Sequence, residues 1–435
     1  SNPATPEVSG AYPLRWRANL YLATLVLGYI GIYLCRKNFS VAIPLIREEL
    51  GVTKEAIGRL ASLSTLAYVV GKVAFGPLID RLGGRGCFLI SLGLVAVFGG
   101  AGAFVPSLGG LTVAYSLNRL AGAGGWGAMV KLVPDWFEER SRAFAFAVLS
   151  LSFVFGGVIA TLLAGWIVGA SGGSWRWVMG GPSLVLIAVG VLCAFVLPRE
   201  RDAGIESGTG SAPVATASQA AEDKGRFRWA QVRELFRTRQ FWVVCALSFT
   251  LTLLRETFNT WTVDFFKTEG GNEVSHRIAA FLSTPFDACG AAGILLLGWA
   301  FGRVTPSGRR RLLFGILAVL GLLLFALPSL ARQGLWVATF AVGLVGFLTY
   351  GPYSLLAGVL SLEIRGRSYV ATVAGLVDAT GYLAAVLAGA QFGRLLDVGG
   401  YAMAFPCLAF LAVLSAVLCL FLYPAGKVRS EAPAG

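Results

Sequence analysis

The chain has 435 residues, is 56% hydrophobic and only 14% charged, and carries a mean hydropathy of +0.71 with a formal charge of +13. That composition excludes a water-soluble globular protein and a disordered chain, because its apolar runs repeatedly reach the roughly 20 residues that cross a bilayer. The chain therefore reads as an all-α, multi-pass membrane protein.

Ser1 to Gly10 has neither an initiator Met nor a signal-peptide core, and reads as a trimmed tail, so the first membrane helix must direct insertion. Runs bounded by charge or by Gly and Pro then give about twelve helices. The first six are Asn19 to Ile43, Ala56 to Ile79, Cys87 to Val105, Leu111 to Trp136, Ala143 to Val168 and Trp177 to Leu197. The last six are Phe241 to Phe266, Ala279 to Arg303, Leu312 to Leu330, Trp336 to Leu360, Tyr369 to Leu395 and Ala402 to Tyr423. Residues 1–197 and 241–435 thus form two six-helix halves joined by a linker, residues 198–240.

In the linker, Gly208 to Ala221 is small and polar, whereas Lys224 to Arg239 is basic with aromatics and could lie along the membrane interface. Arg81, Arg85, Arg140, Arg142, Arg309, Arg310, Arg311, Arg365 and Arg367 fall in loops on the side of the linker and both tails. The positive-inside rule makes that side cytoplasmic, most simply at a bacterial inner membrane, and accounts for the net charge without a nucleic-acid partner. The seven cysteines are scattered through apolar runs without metal-ligand spacing and read as packing residues.

Arg36 and Arg255 each interrupt a membrane-length run, and the two runs open the two halves. A guanidinium at bilayer depth costs about 2.5–3.5 kcal/mol on insertion scales, so two at matching places point to one anion-binding site. Arg255 could instead be held by Glu256 or Asp287, but adjacent helix residues point apart, which disfavours Glu256.

Between helices two and three stands Gly76-Pro77-Leu78-Ile79-Asp80-Arg81-Leu82-Gly83-Gly84-Arg85. It resembles the G-x-L-x-D-R-x-G-R-R signature of the major facilitator superfamily. In it Gly76 permits close helix contact, Asp80 ends a helix, and Arg81 and Arg85 offer guanidinia to acids or helix ends. A degenerate copy, Gly298 to Arg303 continuing to Gly308-Arg309-Arg310-Arg311, follows helix eight and marks an internal repeat.

Gly28-Tyr29-Ile30-Gly31-Ile32-Tyr33-Leu34-Cys35-Arg36-Lys37-Asn38-Phe39 is similar to helix one of the organophosphate:phosphate antiporters, which include bacterial glycerol-3-phosphate and hexose-6-phosphate carriers. Further matches are Ala67-Tyr68 with Lys72, Gly125-Trp126 with Lys131, Leu253-Leu254-Arg255 with Trp261, Tyr350-Gly351-Pro352 and Gly381-Tyr382-Leu383. The resemblance implies a major facilitator fold and exchange of a phosphate ester for inorganic phosphate by alternating access of two halves. It implies that Arg36 and Arg255 bind the phosphate, with Tyr29, Tyr33, Tyr68, Lys72, Tyr350 and Tyr382 lining the pocket. The chemistry agrees: a phosphate monoester carries about −1.5 to −2 charge, which two forked guanidinia can offset. An empty site would hold two uncompensated cations, so reorientation without an anion should be slow and exchange favoured.

Other charges are assigned to pairing or coupling. Lys37 faces away from Arg36 and reads as pairing with an acid or a carbonyl, Lys131 as structural, and Arg119 as either a ligand or a partner for carbonyls. Asp287 reads as pairing with Lys72 or Lys37. Asp378 stands where the family usually has a small residue, and could sense the ligand, carry a proton or pair with a basic residue. Phe153 stands where the glycerol-3-phosphate carriers have a histidine, so a larger or less polar organic group suits the site better. The single histidine, His276, is expected in solvent at the outer end of helix eight.

Gly122 to Gly127 contains G-x-G-x-x-G, but within a membrane helix it reads as packing and not as a dinucleotide site. Asn38-Phe39-Ser40 fits a glycosylation sequon yet lies inside helix one. With no Ser-His-Asp, Cys-His or metal cluster in the pattern, an enzyme, a cofactor and a metal are not expected, and the chain reads as a monomer in the bilayer. Two alternatives share the fold: a proton-coupled sugar-acid symporter, suggested by Trp136-Phe137-Glu138-Glu139-Arg140 and Asp378, and a transporter-like sensor of sugar phosphates.

Overall fold

A computed structural model describes residues 15–137, 139–198, 236–270, 274–356 and 370–422, and the described residues are helical with no strand. In chain order the helices are α1 (Arg15–Leu50), α2 (Lys54–Ala101), α3 (Leu108–Trp136), α4 (Glu139–Ala170), α5 (Trp175–Val196) and α6 (Arg239–Glu269). They continue with α7 (His276–Ser283), α8 (Pro285–Arg303), α9 (Pro306–Gln333), α10 (Leu335–Leu355), α11 (Val370–Leu387) and α12 (Ala390–Cys419). Nine stretches among the described residues are long and apolar enough to cross a membrane. One of them, Ala379–Cys419, contains parts of both the eleventh and twelfth expected helices, and the first part of α2 and all of α3 lie outside the nine. The arrangement is consistent with twelve crossings. Side chains such as Phe195 (86% exposed) and Leu322 (67%) face outward, as apolar residues do where hydrocarbon replaces water.

The helix boundaries follow local chemistry. Helix α2 holds the expected second and third spans, separated at Gly83, whose φ of 76° is open to glycine and strained for other residues. Helix α12 turns in the same way at Gly400, with φ of 60°. The eighth span runs as one membrane-length stretch, His276–Phe301, in which the hydrogen-bond ladder is interrupted only at Thr284, itself in helical φ/ψ, because Pro285 has no N–H to donate. The eleventh span divides between Leu387 and Ala390. There Ser62 Oγ donates to Val386 O (2.5 Å) and accepts from Ala390 N (2.8 Å), satisfying backbone groups the break releases. A Cβ on Gly389 would lie 2.4 Å from Gly58 O, so this approach requires glycine.

The chain forms two compact units. Unit 1 comprises Ser1–Gly51, Leu63–Arg228 and Ser275–Phe281; unit 2 comprises Val52–Ser62, Trp229–Val274 and Leu282–Gly435. Unit 1 has a core that includes Leu25, Ile32, Phe88, Val95, Met129 and Leu186. A Cβ on Gly125 would come within 2.6 Å of Ile32 Cδ1, so the glycine-rich stretch of α3 serves close packing on α1, as its membrane setting implied. Asn38 donates to Val178 O and Met179 O, both at 3.1 Å, which buries the sequon asparagine inside the bundle. His276 is not in open solvent: its side chain is 17% exposed and Nε2 lies 3.0 Å from Glu48 Oε2.

Unit 2 is built around stacked aromatics, Phe258 lying between Phe286 (5.3 Å) and Phe405 (5.5 Å). Within it the start of α2 is held by charge. Asp397 accepts from the backbone N–H of Lys54 (3.0 Å) and of Glu55 (2.6 Å), so its carboxylate caps the positive end of α2. Lys54 Nζ meets Asp264 Oδ2 at 2.7 Å, with both side chains buried.

The facilitator-like motif and its copy have matching anchors. Arg85 donates to Ala194 O (2.7 Å) and Leu197 O (3.0 Å), the closing carbonyls of α5. Arg310 donates to Leu420 O (3.3 Å), just past α12. Each cation therefore sits at the negative end of a helix, Arg85 at that of α5 and Arg310 at that of α12. Arg81 is exposed, and the surroundings of Gly76 and the side chain of Asp80 lie outside what is described.

Candidate functional site

In unit 1, helices α1, α2 and α3 bring cations to one tyrosine. The Tyr68 ring centroid lies 5.3 Å from the Arg36 guanidinium, 4.7 Å from that of Arg119 and 5.5 Å from the Lys72 ammonium. Arg36 also donates to Tyr33 Oη (3.4 Å) and lies 5.2 Å from the Tyr33 ring. The spacing explains the grouping: Tyr29, Tyr33 and Arg36 recur at three to four residues and share a face of α1, and Tyr68 and Lys72 are one turn apart on α2.

A small pocket is lined by Tyr29, Tyr33, Arg36, Tyr68, Asn118 and Arg119, with Ile32 and Gly122 closing it. Tyr29 and Tyr33 pack ring to ring at 5.5 Å, and Trp126 closes on Tyr29 at 5.8 Å. Tyr115 Oη donates to Arg36 O at 2.8 Å, fixing the backbone at the arginine. This is a rigid, aromatic and cationic cluster, suited to a multiply charged anion.

Arg119 belongs to this cluster and is 94% buried, although its position in α3 left its role open. The signal was present: an arginine in mid-span carries the same insertion cost that singled out Arg36. Lys131 donates to Ile79 O (2.9 Å) at the end of the second span, a structural contact. Lys37 is half-buried on α1, next to the cluster in sequence. Phe153 is half-buried against the unit 1 core.

Unit 2 has its own polar cluster on α6, α8 and α10. Arg255 Nη2 lies 2.7 Å from Glu256 Oε1, with side chains 16% and 12% exposed, and its guanidinium is 4.1 Å from the Tyr353 ring centroid. The pairing corrects the expectation that neighbouring helix residues point apart. Both side chains are long enough to bend along one flank of α6, and a shared ion pair lowers the cost of holding either charge in an apolar setting.

Tyr350 Oη donates to Asp287 Oδ1 at 2.7 Å and lies 3.5 Å from Asn259 Oδ1. The Asp287 carboxylate, 97% buried, therefore takes a phenol hydroxyl. Glycine makes room for this too, since a Cβ on Gly290 would stand 2.3 Å from the Tyr350 ring. Tyr382 is half-buried on α11. The side chains of Asp378, Arg140 and Arg142, together with Arg365, Arg367 and nearly all of the linker, lie outside the described residues. Among the described residues no group of His, Cys, Asp and Glu could hold a metal ion.

Residues 25–389 match the model of the Major Facilitator Superfamily. Relatives extend along nearly the whole chain. A "Probable hexose phosphate transport protein" of Chlamydia pneumoniae is 27% identical, over 94% of this chain and 90% of the relative. The "Hexuronate transporter" of Escherichia coli (strain K12) is also 27% identical, over 93% of each chain. The "Membrane sensor protein UhpC" of the same strain is 27% identical over 93% of this chain and 92% of its own.

Proposed function

This chain belongs to the Major Facilitator Superfamily, a family of membrane transporters and not of enzymes, and we propose that it exchanges a sugar-phosphate ester for inorganic phosphate by alternating access. The observation that carries this reading is the gathering of Arg36, Arg119 and Lys72 about the Tyr68 ring. A phosphate monoester presents three oxygens and nearly two negative charges, and guanidinia meet such a group with paired hydrogen bonds. A single carboxylate, by contrast, presents one charge and two oxygens, and needs fewer cations.

In this reading phosphate engages Arg36 in the first half and Arg255 in the second, with Tyr29, Tyr33, Tyr68, Lys72, Tyr350 and Tyr382 shaping the pocket. Asp287 holds Tyr350 in place, and Lys37 and Asp378 adjust the charge around it. The relative named for hexose phosphate supports an ester of hexose size, as does Phe153, whose ring offers packing and no imidazole for phosphate. The protein works as a monomer in the inner membrane with both termini in the cytoplasm.

The hexuronate-transporting relative favours a second reading, a sugar-acid symporter. Competition separates the two. In proteoliposomes, uptake of labelled glucose-6-phosphate is expected to fall at least tenfold under excess inorganic phosphate and to be unaffected by glucuronate. Inhibition by glucuronate and not by phosphate selects the symporter instead.

A further inference from the structure

The Arg255–Glu256 pair changes the charge reasoning for an exchanger. Two bare cations in an empty site would make reorientation without an anion costly. In unit 2, however, Arg255 already has an anion of its own: the Glu256 carboxylate lies 2.7 Å from Nη2, with 12% of its side chain exposed. A carboxylate oxygen at that distance occupies the place a phosphate oxygen takes on the same nitrogen.

The surroundings give Glu256 a specific standing. The other acid of the cluster, Asp287, takes the Tyr350 hydroxyl at 2.7 Å, and Asn259 stands 3.5 Å from the same hydroxyl. Tyr353 lies against the guanidinium at 4.1 Å, an aromatic contact that leaves the charge in place. Glu256 thus places a carboxylate directly on Arg255. In unit 1, the pocket is lined by Arg36 and Arg119 with tyrosines and Asn118.

We infer that Glu256 is a resident stand-in for the substrate phosphate: it holds Arg255 in the empty carrier and gives up Nη2 when phosphate binds. The inference rests on the phosphate-exchange reading above. Two consequences follow from competition for one nitrogen. Apparent phosphate affinity is lower than the arginines alone would give, because each binding event must displace an anion held at high local concentration. Net flux without a counter-anion is slowed but not abolished, because the empty carrier retains a neutralised arginine.

The test uses the full-length chain in detergent and in proteoliposomes, with ³²P-labelled inorganic phosphate as the probe. Glu256→Gln keeps the size and removes the charge, and is expected to bind phosphate at least threefold more tightly and to show slower net efflux into phosphate-free medium. Glu256→Asp shortens the reach and should move affinity in the same direction by less, which keeps the test available if the amide variant fails to fold. If Glu256 only positions Arg255, both variants bind phosphate more weakly; weaker or unchanged binding overturns the inference while leaving exchange by the wild type intact. A wild-type protein that neither binds nor exchanges phosphate overturns the functional reading, and this inference with it.

Discussion

Arg36→Lys and Arg255→Lys are each expected to reduce phosphate exchange by about 10- to 100-fold. Lysine keeps the positive charge and so preserves insertion and long-range attraction, which makes the change a test of hydrogen-bond geometry and not of charge alone. A hydrogen bond to a charged group contributes about 1.5–3 kcal/mol, and each 1.4 kcal/mol is about a factor of ten, so loss of one arm of a fork predicts that range. At Arg36 the substitution also removes the bond to Tyr33 Oη and the guanidinium contact with the Tyr68 ring. At Arg255 it removes the contact with Tyr353. Because one phosphate would draw on both residues, the double variant should lose less than the product of the single losses. Exchange at wild-type rates in either lysine variant would show that the arginine does not hold the substrate.

Asp264→Ala is expected to destabilise the protein by about 3–5 kcal/mol, because it strands a buried ammonium. Lys54 and Asp264 are 8% and 1% exposed, and their contact is 2.7 Å. Tyr401 Oη donates to the same Asp264 oxygen at 2.7 Å, Lys54 Nζ donates to Thr268 Oγ1 at 3.3 Å, and the ammonium lies 4.6 Å from the Tyr401 ring centroid. The network ties the first turn of α2 into unit 2, so its loss should also loosen the caps from Asp397. Replacing both members, as Lys54→Met with Asp264→Leu, removes the stranded charge and should recover most of the lost stability. Melting temperature in detergent reads both results. A single variant that melts with the wild type, or a double variant no better than the single, would contradict this account of the pair.

Much of the fold was legible because the bilayer imposes a simple rule on apolar length. The motif cations were legible as groups offered to acids or helix ends, but the ends that Arg85 and Arg310 meet, those of α5 and α12, lie 109 to 112 residues away in sequence. What the sequence hid was the break in the eleventh span. Leu387 to Ala390 reads as part of one apolar run, and only the nearness of Gly58 and Ser62, more than 320 residues away in sequence, shows why the helix can part there. Pro285 was a visible signal of the interruption at Thr284, masked by proline's tolerance in membrane helices such as at Pro44 and Pro352.

The candidate site was partly legible for a related reason. Arg36 and Arg255 stand out because a guanidinium in mid-span is expensive, and Arg119 meets the same criterion. Lys54 and Asp264 do not stand out, since Lys54 lies just before the expected second span and Asp264 near the end of the seventh, where charge is ordinary. Their burial arises from contacts distant in sequence. The Arg255–Glu256 pair was visible as two adjacent charges but was set aside on helix geometry, a rule about Cβ directions that long side chains can escape.

The most direct test of phosphate exchange is counterflow by the wild-type protein. Proteoliposomes preloaded with unlabelled inorganic phosphate should take up ³²P-labelled phosphate at least tenfold faster than vesicles holding no counter-anion, and loading with glucose-6-phosphate should accelerate uptake in the same way. Uptake that proceeds equally fast into empty vesicles would contradict the account.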